Sequence, residues 1–410
     1  MYKMLFISRY CGHASSPYGG SKVHYYYLNQ FNSDKNFLIK LINFSDPGEF
    51  QKLDYAANGI DADVTVVDVS PRRLLFLLMH NWKNIPNYFG KTMGLENGII
   101  KKIVLKKLRA LKRAGYIPDI IILEWTQIAL MIHEIRKLYP EPLYVAMVQD
   151  VAFNKYGRSF ASSKGLRRFL EFLRFRSIKY AEIDCLQSTD MVAVLSEKDR
   201  TLLAENGISS RKLHVVSPYY TDYRNIRYDP RSSTILFFGA MDRAENYQSI
   251  IWFIRNVFVL LPSEYSLVIA GNKPHFTLAE FASSRIKITG FVPDITPFFQ
   301  NSFCMVAPLL LGAGIKIKIL EAMSAGLPVL TNAIGIEGIP AKDGVHYLHC
   351  EKPGDYLDVF ERIRQGRIDM RAISENARKM IARSYNLEES FTSYKEAILK
   401  GVHNKKSPLL

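Results

Sequence analysis

Short apolar runs recur along this 410-residue chain, each followed by a longer stretch of helical periodicity, and the whole series occurs twice. The first series runs through MLFISRY (4–10), FLIKLINF (37–44), DVTVVDV (63–69), IIILEW (120–125), LYVAMVQD (143–150), MVAVLS (191–196) and LHVVSP (213–218). The second runs through TILFFGA (234–240), SLVIAGN (266–272), IKITGF (286–291), FCMVAPL (303–309) and PVLTN (328–332). Runs this short and this continuously apolar suit parallel strands covered by helices on both faces. A chain of this length also exceeds what one core usually serves. The reading is an α/β protein of two Rossmann-like domains: 1–218, a linker at 219–233, and 234–384. A final helix at 385–400 is expected to pack back on the first domain.

The block APLLLGAGIKIKILEAMSAGLPVLTNAIGIEGI, from Ala307 to Ile339, carries the most chemistry. It reads as strand, glycine loop, lysine-bearing helix, strand and second glycine loop. Gly312 and Gly314 let the backbone turn tightly and present N–H groups where the helix begins. Lys316 and Lys318 add full positive charge to the helix N-terminus. Glu321 is the one acid of that helix, far enough along to meet hydroxyl groups in place of phosphates. A carboxylate has two oxygens spaced for a vicinal diol, and hydrogen bonds to charged groups contribute roughly 1.5–3 kcal/mol. The combination suits a nucleotide diphosphate linked to a sugar.

Pro308, Gly312, Gly314, Lys316, Lys318, Glu321, Ala325, Gly326, Pro328 and Val329 together resemble the donor motif of the retaining, group 1 glycosyltransferases of family-4 type. That resemblance implies the GT-B fold, two Rossmann-like domains facing a cleft. It implies Glu321 on the donor ribose, Gly312, Gly314 and Ile315 in the donor loop, and Lys316 or Lys318 on the phosphates. Relatives often carry a second glutamate where this chain has Ala313 and an arginine near Leu310. Gly239 with Asn246 and the later Gly271 resemble the donor-domain loops, where Arg243 is the basic candidate and Ala240 stands at a usual arginine position. In the first half, Gly20 resembles the loop lying against the pyrophosphate. VAMVQDVAF resembles a strand ending in His-Asp, so Gln149 and Asp150 take those positions. Gln149 can hydrogen-bond but is no general base near neutral pH.

Charge marks out a second theme. The chain carries 54 Lys and Arg against 39 Asp and Glu, a net +15. From Pro71 to Arg113 there are eleven Lys or Arg and one acid, Glu96, interleaved with Phe76, Trp82 and Phe89. Residues 101–115 read as an amphipathic helix with a basic face. An anionic membrane surface is the expected partner of 71–113. For the second basic stretch, 164–180, a solvated helix face is as good a reading. No RNA-binding, zinc-finger or helix-turn-helix signature accompanies the charge, so nucleic acid is not expected.

Other motifs point to structure. Cys11, Cys185, Cys304 and Cys350 are widely spaced and are expected as buried thiols. Asp61-Ala62-Asp63 opens a strand with no third ligand nearby, and no metal or other cofactor is expected. Ser196 and Asp199 form a helix-capping pattern. No apolar run reaches the roughly 18–20 residues that span a bilayer, and no signal peptide is read at the N-terminus. The expected protein is a cytoplasmic-face glycosyltransferase that moves a sugar from a nucleotide sugar to a glycan or lipid-linked acceptor with retention, in bacterial surface polysaccharide or lipopolysaccharide assembly. Phosphate departure would be stabilised by helix amides and lysines. A nucleotide-sugar epimerase of the same fold and a catalytically degenerate binding subunit are the alternatives.

Overall fold

A computed structural model describes residues 1–14, 16, 18–67 and 95–406. The described chain forms two compact units: Met1–Ser16, Gly20–Ser217 and Glu388–Leu410 in the first, Pro17–Gly19 and Pro218–Leu387 in the second.

The first unit is built on seven strands: β1 (Tyr2–Ser8), β2 (Phe37–Ser45), β3 (Asp61–Val66), β4 (Ile120–Glu124), β5 (Leu143–Val148), β6 (Met191–Val194) and β7 (Leu213–Val215). They lie in the order β3-β2-β1-β4-β5-β6-β7, every pairing parallel. Phe6 sits between Leu41 and Ile122 in register. Strand side chains alternate between the two faces. Leu5 and Ile7 of β1 therefore join Ile121, Leu123, Tyr144 and Ala146 in one core, while Phe6 turns to the other face and packs on Phe31 of α1 (Gly19–Ser33). Strand order reverses between β1 and β4, which places a topological switch point at their carboxyl ends.

The second unit repeats the scheme with six strands: β8 (Thr234–Phe238), β9 (Ser266–Ala270), β10 (Ile286–Gly290), β11 (Cys304–Ala307), β12 (Val329–Thr331) and β13 (Leu348–His349). The order is β10-β9-β8-β11-β12-β13, again all parallel. Ile235 and Phe237 feed one core and Leu236 the other. The α/β class and the doubled Rossmann-like arrangement read from the sequence are what the chain forms. Strand β13 carried too short an apolar signal to be read.

Residues 219–233, read as a linker, are bonded into the second unit. The Tyr223 N–H donates to Ser324 Oγ (3.0 Å) and the Tyr228 hydroxyl to the Phe303 carbonyl (2.9 Å). The terminal helix, Leu387–Lys406, lies against the first unit. Phe391 packs edge-on to Phe31, Tyr394 to Tyr27, and Lys405 reaches Asp190 at 2.8 Å.

The membrane reading of 71–113 is corrected in its described part, and residues 68–94 lie outside the described residues. In α2 (Gly98–Arg113) the apolar stripe Ile100, Val104 and Leu108 is wholly buried in the first core. Two of its lysines form ion pairs, Lys101 with Glu96 and Glu134 and Lys107 with Asp63, while Lys102 and Lys106 are exposed. The amphipathic period was real, but its apolar face belongs to the protein core. The acids of the Asp-Ala-Asp triplet pair with Lys40 and Lys107. All four cysteines are buried free thiols, and Ser196 Oγ caps its helix by accepting the Asp199 N–H at 3.0 Å.

Candidate functional site

The donor block of the sequence forms the loop between β11 and α5 (Ile317–Ser324), counting α3 (Gly165–Gln187) in the first unit and α4 (Ala244–Asn256) in the second. Gly312 and Gly314 hold φ of 131° and 68°, left-handed values that favour glycine. The loop is pinned from three sides. The Leu310 N–H donates to Ser249 Oγ (3.1 Å), Asn332 Nδ2 to the Leu309 carbonyl (2.7 Å), and Thr331 Oγ1 to the Ala307 carbonyl (2.6 Å). Ile315 packs partly against the core beneath.

Lys316 takes the N-cap position and Lys318 the first turn of α5. Lys316 Nζ donates to the Gly314 carbonyl (2.5 Å) and stands 3.8 Å from the buried carboxylate of Glu337. Lys318 Nζ donates to Asn246 Oδ1 (2.8 Å) and lies 4.6 Å from the centre of the Phe237 ring. Asn246 Nδ2 in turn donates to the Ala240 carbonyl (2.8 Å). This chain ties the glycine loop after β8 to the start of α5. Gly239 and Gly271 meet there so closely that a β-carbon on Gly271 would collide with the Gly239 carbonyl oxygen. Arg243 caps the start of α4, half exposed, and pairs with Glu245 at 2.6 Å.

The electrostatics of this corner run against the usual rule. Helix N-termini favour acids, because their unsatisfied N–H groups carry partial positive charge. Here the first turn of α5 contains no acid and two lysines stand at its mouth. Burial, then the neighbouring Lys316, push the Lys318 ammonium down to about 7; Glu245 opposes the shift and Arg243 adds to it. Such local conflicts concentrate at functional sites, and an anion at the helix mouth would resolve this one.

Glu321 lies one turn further along, buried, with Oε1 accepting the Thr221 N–H at 3.4 Å. Burial and the Glu321 charge raise the Tyr223 phenol to about 12. Among the described residues no cluster of three or more metal-ligating side chains occurs.

Gly20, Gln149 and Asp150 gather separately, at the switch point of the first sheet. A β-carbon on Gly20 would rest in ordinary contact with Trp125 Nε1 (3.5 Å) and Gln149 Oε1 (3.6 Å). Gln149 Nε2 donates to Glu124 Oε2 (3.3 Å), and Glu124 Oε1 lies 3.4 Å from His24 Nδ1, with acid and imidazole both wholly buried. Trp125 follows with a φ of 66°, strained for a bulky residue. Asp150 leads into the helix Ala152–Ser162, whose Ala152 and Phe153 N–H groups donate to Glu182 at 3.0 and 2.8 Å. Thr126 Oγ1 donates to the same acid at 2.8 Å. Burial raises Glu182 to about 7, Asp150 adding to the shift over these hydrogen bonds.

Sequence reasoning missed Ser249, Asn332 and Glu337 around the donor loop, and His24, Glu124 and Glu182 in the first unit. Glu337 had a signal, as the one acid in the second glycine loop. Asn332 lies within the same block, just after a strand, and the others sit in ordinary strands and helices outside it.

Residues 232–365 match the family described as glycosyl transferases group 1. The match lies within the second unit and covers about a third of the chain. The two Rossmann-like units have the GT-B fold. The fold is similar to that of sucrose-phosphate synthase from Thermosynechococcus elongatus (TM-score 0.69, 14% identity, 98% of this chain and 99% of that chain). It is similar also to Anabaena Alr3699/HepE in complex with UDP (TM-score 0.67, 11% identity, 97% and 100%). A third similar structure is the lipopolysaccharide outer core galactosyltransferase WaaB in its apo form (TM-score 0.63, 16% identity, 97% and 99%). A Klebsiella pneumoniae protein described as an uncharacterized 44.6 kDa protein in the cps region is 24% identical over 243 residues, 56% of this chain. The match spans 61% of that protein, less than two thirds of its length.

Proposed function

We propose that the chain transfers a sugar from a nucleotide diphosphate donor to a glycan or lipid-linked acceptor, with retention of configuration and without a metal ion. The observation that carries this reading is the glycine loop with left-handed backbone that leads into the acid-free N-terminus of α5, where Lys316 and Lys318 stand with Glu321 one turn away. A diphosphate would satisfy the helix amides, Lys316, Lys318 and Arg243, and the two Glu321 oxygens would accept a vicinal diol. As the leaving diphosphate gains charge, the same groups would stabilise it. A uridine nucleotide is the first donor to test, because a similar fold binds UDP in the Anabaena protein. The role would lie in bacterial surface polysaccharide assembly at the inner face of the membrane, and the Klebsiella relative from a cps region supports the polysaccharide part of that reading alone.

The test is UDP release from UDP-sugars with and without an isoprenoid-diphosphate-linked saccharide, with the anomeric configuration of the product read by NMR. Acceptor-dependent release should fall about a hundredfold or more in Glu321→Ala, since two charged hydrogen bonds are lost. Full activity in that variant would overturn the site, and an isomerised donor without acceptor would favour the epimerase.

A further inference from the structure

The helix α3 has two halves with different surroundings. Its second half is fixed in the core by Ile178, Glu182, Cys185 and Leu186. Its first half touches the preceding helix through Phe172 and Phe175, which pack on Phe160. The opposite side carries Leu166, Phe169, Leu170 and Leu173, exposed by 77, 57, 52 and 40%, and Tyr180 at 78%. Single exposed hydrophobics are ordinary. Four at positions i, i+3, i+4 and i+7, continued by a tyrosine further along the same face, make a ridge instead.

Charge borders this ridge. From Lys164 to Ala181 there are six Lys or Arg and one acid, Glu171. Lys164, Arg167 and Arg176 are exposed, with Arg167 and Arg176 to either side of the apolar stripe by helical spacing. An apolar ridge between cations is the form of a helix that lies in the interface of a bilayer, its apolar side among the acyl chains and its cations at anionic headgroups. A second copy of the chain fits worse, since a symmetric contact would bring like charges together.

We infer that the exposed face of α3 docks the protein on an anionic lipid bilayer, in place of the face of α2 that the sequence favoured. The proposed lipid-linked acceptor gives this surface its purpose, but its evidence is independent of the donor site. Two variants test it. One replaces the ridge (Leu166→Asn, Phe169→Asn, Leu170→Asn, Leu173→Asn), and the other the charges (Lys164→Gln, Arg167→Gln, Arg176→Gln).

Co-sedimentation is measured with phosphatidylcholine vesicles and with vesicles that also contain phosphatidylglycerol. Far-UV circular dichroism and UDP titration on the same proteins separate docking from folding and from the donor reading. The native chain is expected to sediment with the anionic vesicles alone. The charge variant should bind them about a hundredfold more weakly, at about a factor of five per cation, and the ridge variant by at least about tenfold. Failure of the native chain to bind, or binding that neither variant weakens, overturns the inference. So does a ridge variant that converts a dimer to a monomer while vesicle binding persists.

Discussion

The carboxyl edges of the two sheets are built by opposite means. In the second unit the loop after β11 is glycine, lysine and helix start, with the candidate side chains close together in sequence and two lysines at a helix N-terminus that holds no acid. In the first unit the equivalent edge is a buried polar lattice, in which His24, Glu124 and Gln149 meet from three elements and Glu182 holds the next helix from a fourth. The first arrangement advertises its chemistry through spacing. The second depends on which distant residues the fold brings together.

The largest expected effect contrasts two glycines. Gly271→Ala places a β-carbon against the Gly239 carbonyl oxygen, a rigid backbone neighbour. It should cost about 2–4 kcal/mol of stability by chemical denaturation. Gly20→Ala meets only side-chain atoms at ordinary contact distance, so it should change stability by no more than about 0.5 kcal/mol. Equal effects would erase the contrast between a backbone-packed edge and a side-chain-lined one.

The buried acid of the first unit comes next. Its folded pKa is raised to about 7 from an ordinary 4.5, so the folded state holds the extra proton between those values. Stability should therefore fall as pH rises from 4.5 through 7, by about 1–3 kcal/mol. Glu182→Gln should flatten that slope in urea titrations at several pH values. An unchanged slope would show that this carboxyl is not the group being titrated.

In the second unit the same sign of pH dependence is expected for a ligand, although the lysine's own pKa is shifted down. Burial lowers Lys318 to about 7, and a bound diphosphate would raise its pKa, so the complex would hold more protons than the free protein. Affinity for UDP should be greatest below pH 7 and fall about tenfold as pH rises from roughly 7 to 8.5. Working above pH 7 keeps the nucleotide's own charge constant, and Lys318→Arg should remove the slope. A flat profile in the native chain would place Lys318 away from the phosphates.

The same contrast explains how much could be read beforehand. The α/β class and the doubled series of parallel strands follow from short apolar runs, because a doubly covered strand tolerates little else. Gly312, Gly314, Lys316, Lys318 and Glu321 were legible because glycines, lysines and one acid in that order suit the nucleotide-binding role proposed for them. Glu124 and His24 were not, since an acid ending a strand and a histidine in a helix gain meaning only when their side chains meet. The helices α2 and α3 mark the other limit. Both are basic and amphipathic in sequence, yet α2 turns its apolar stripe into the core and α3 leaves part of its own exposed. Periodicity reports that a face is apolar, not what covers it.

The central claim is that the mouth of α5 and Glu321 hold a nucleoside diphosphate. Saturation binding of UDP, GDP and ADP to the native chain and to Glu321→Ala tests it most directly. The account predicts micromolar binding of one nucleotide, weakened at least about tenfold by the substitution while the thermal transition is kept. Absence of binding by all three, or equal binding by the variant, would contradict it.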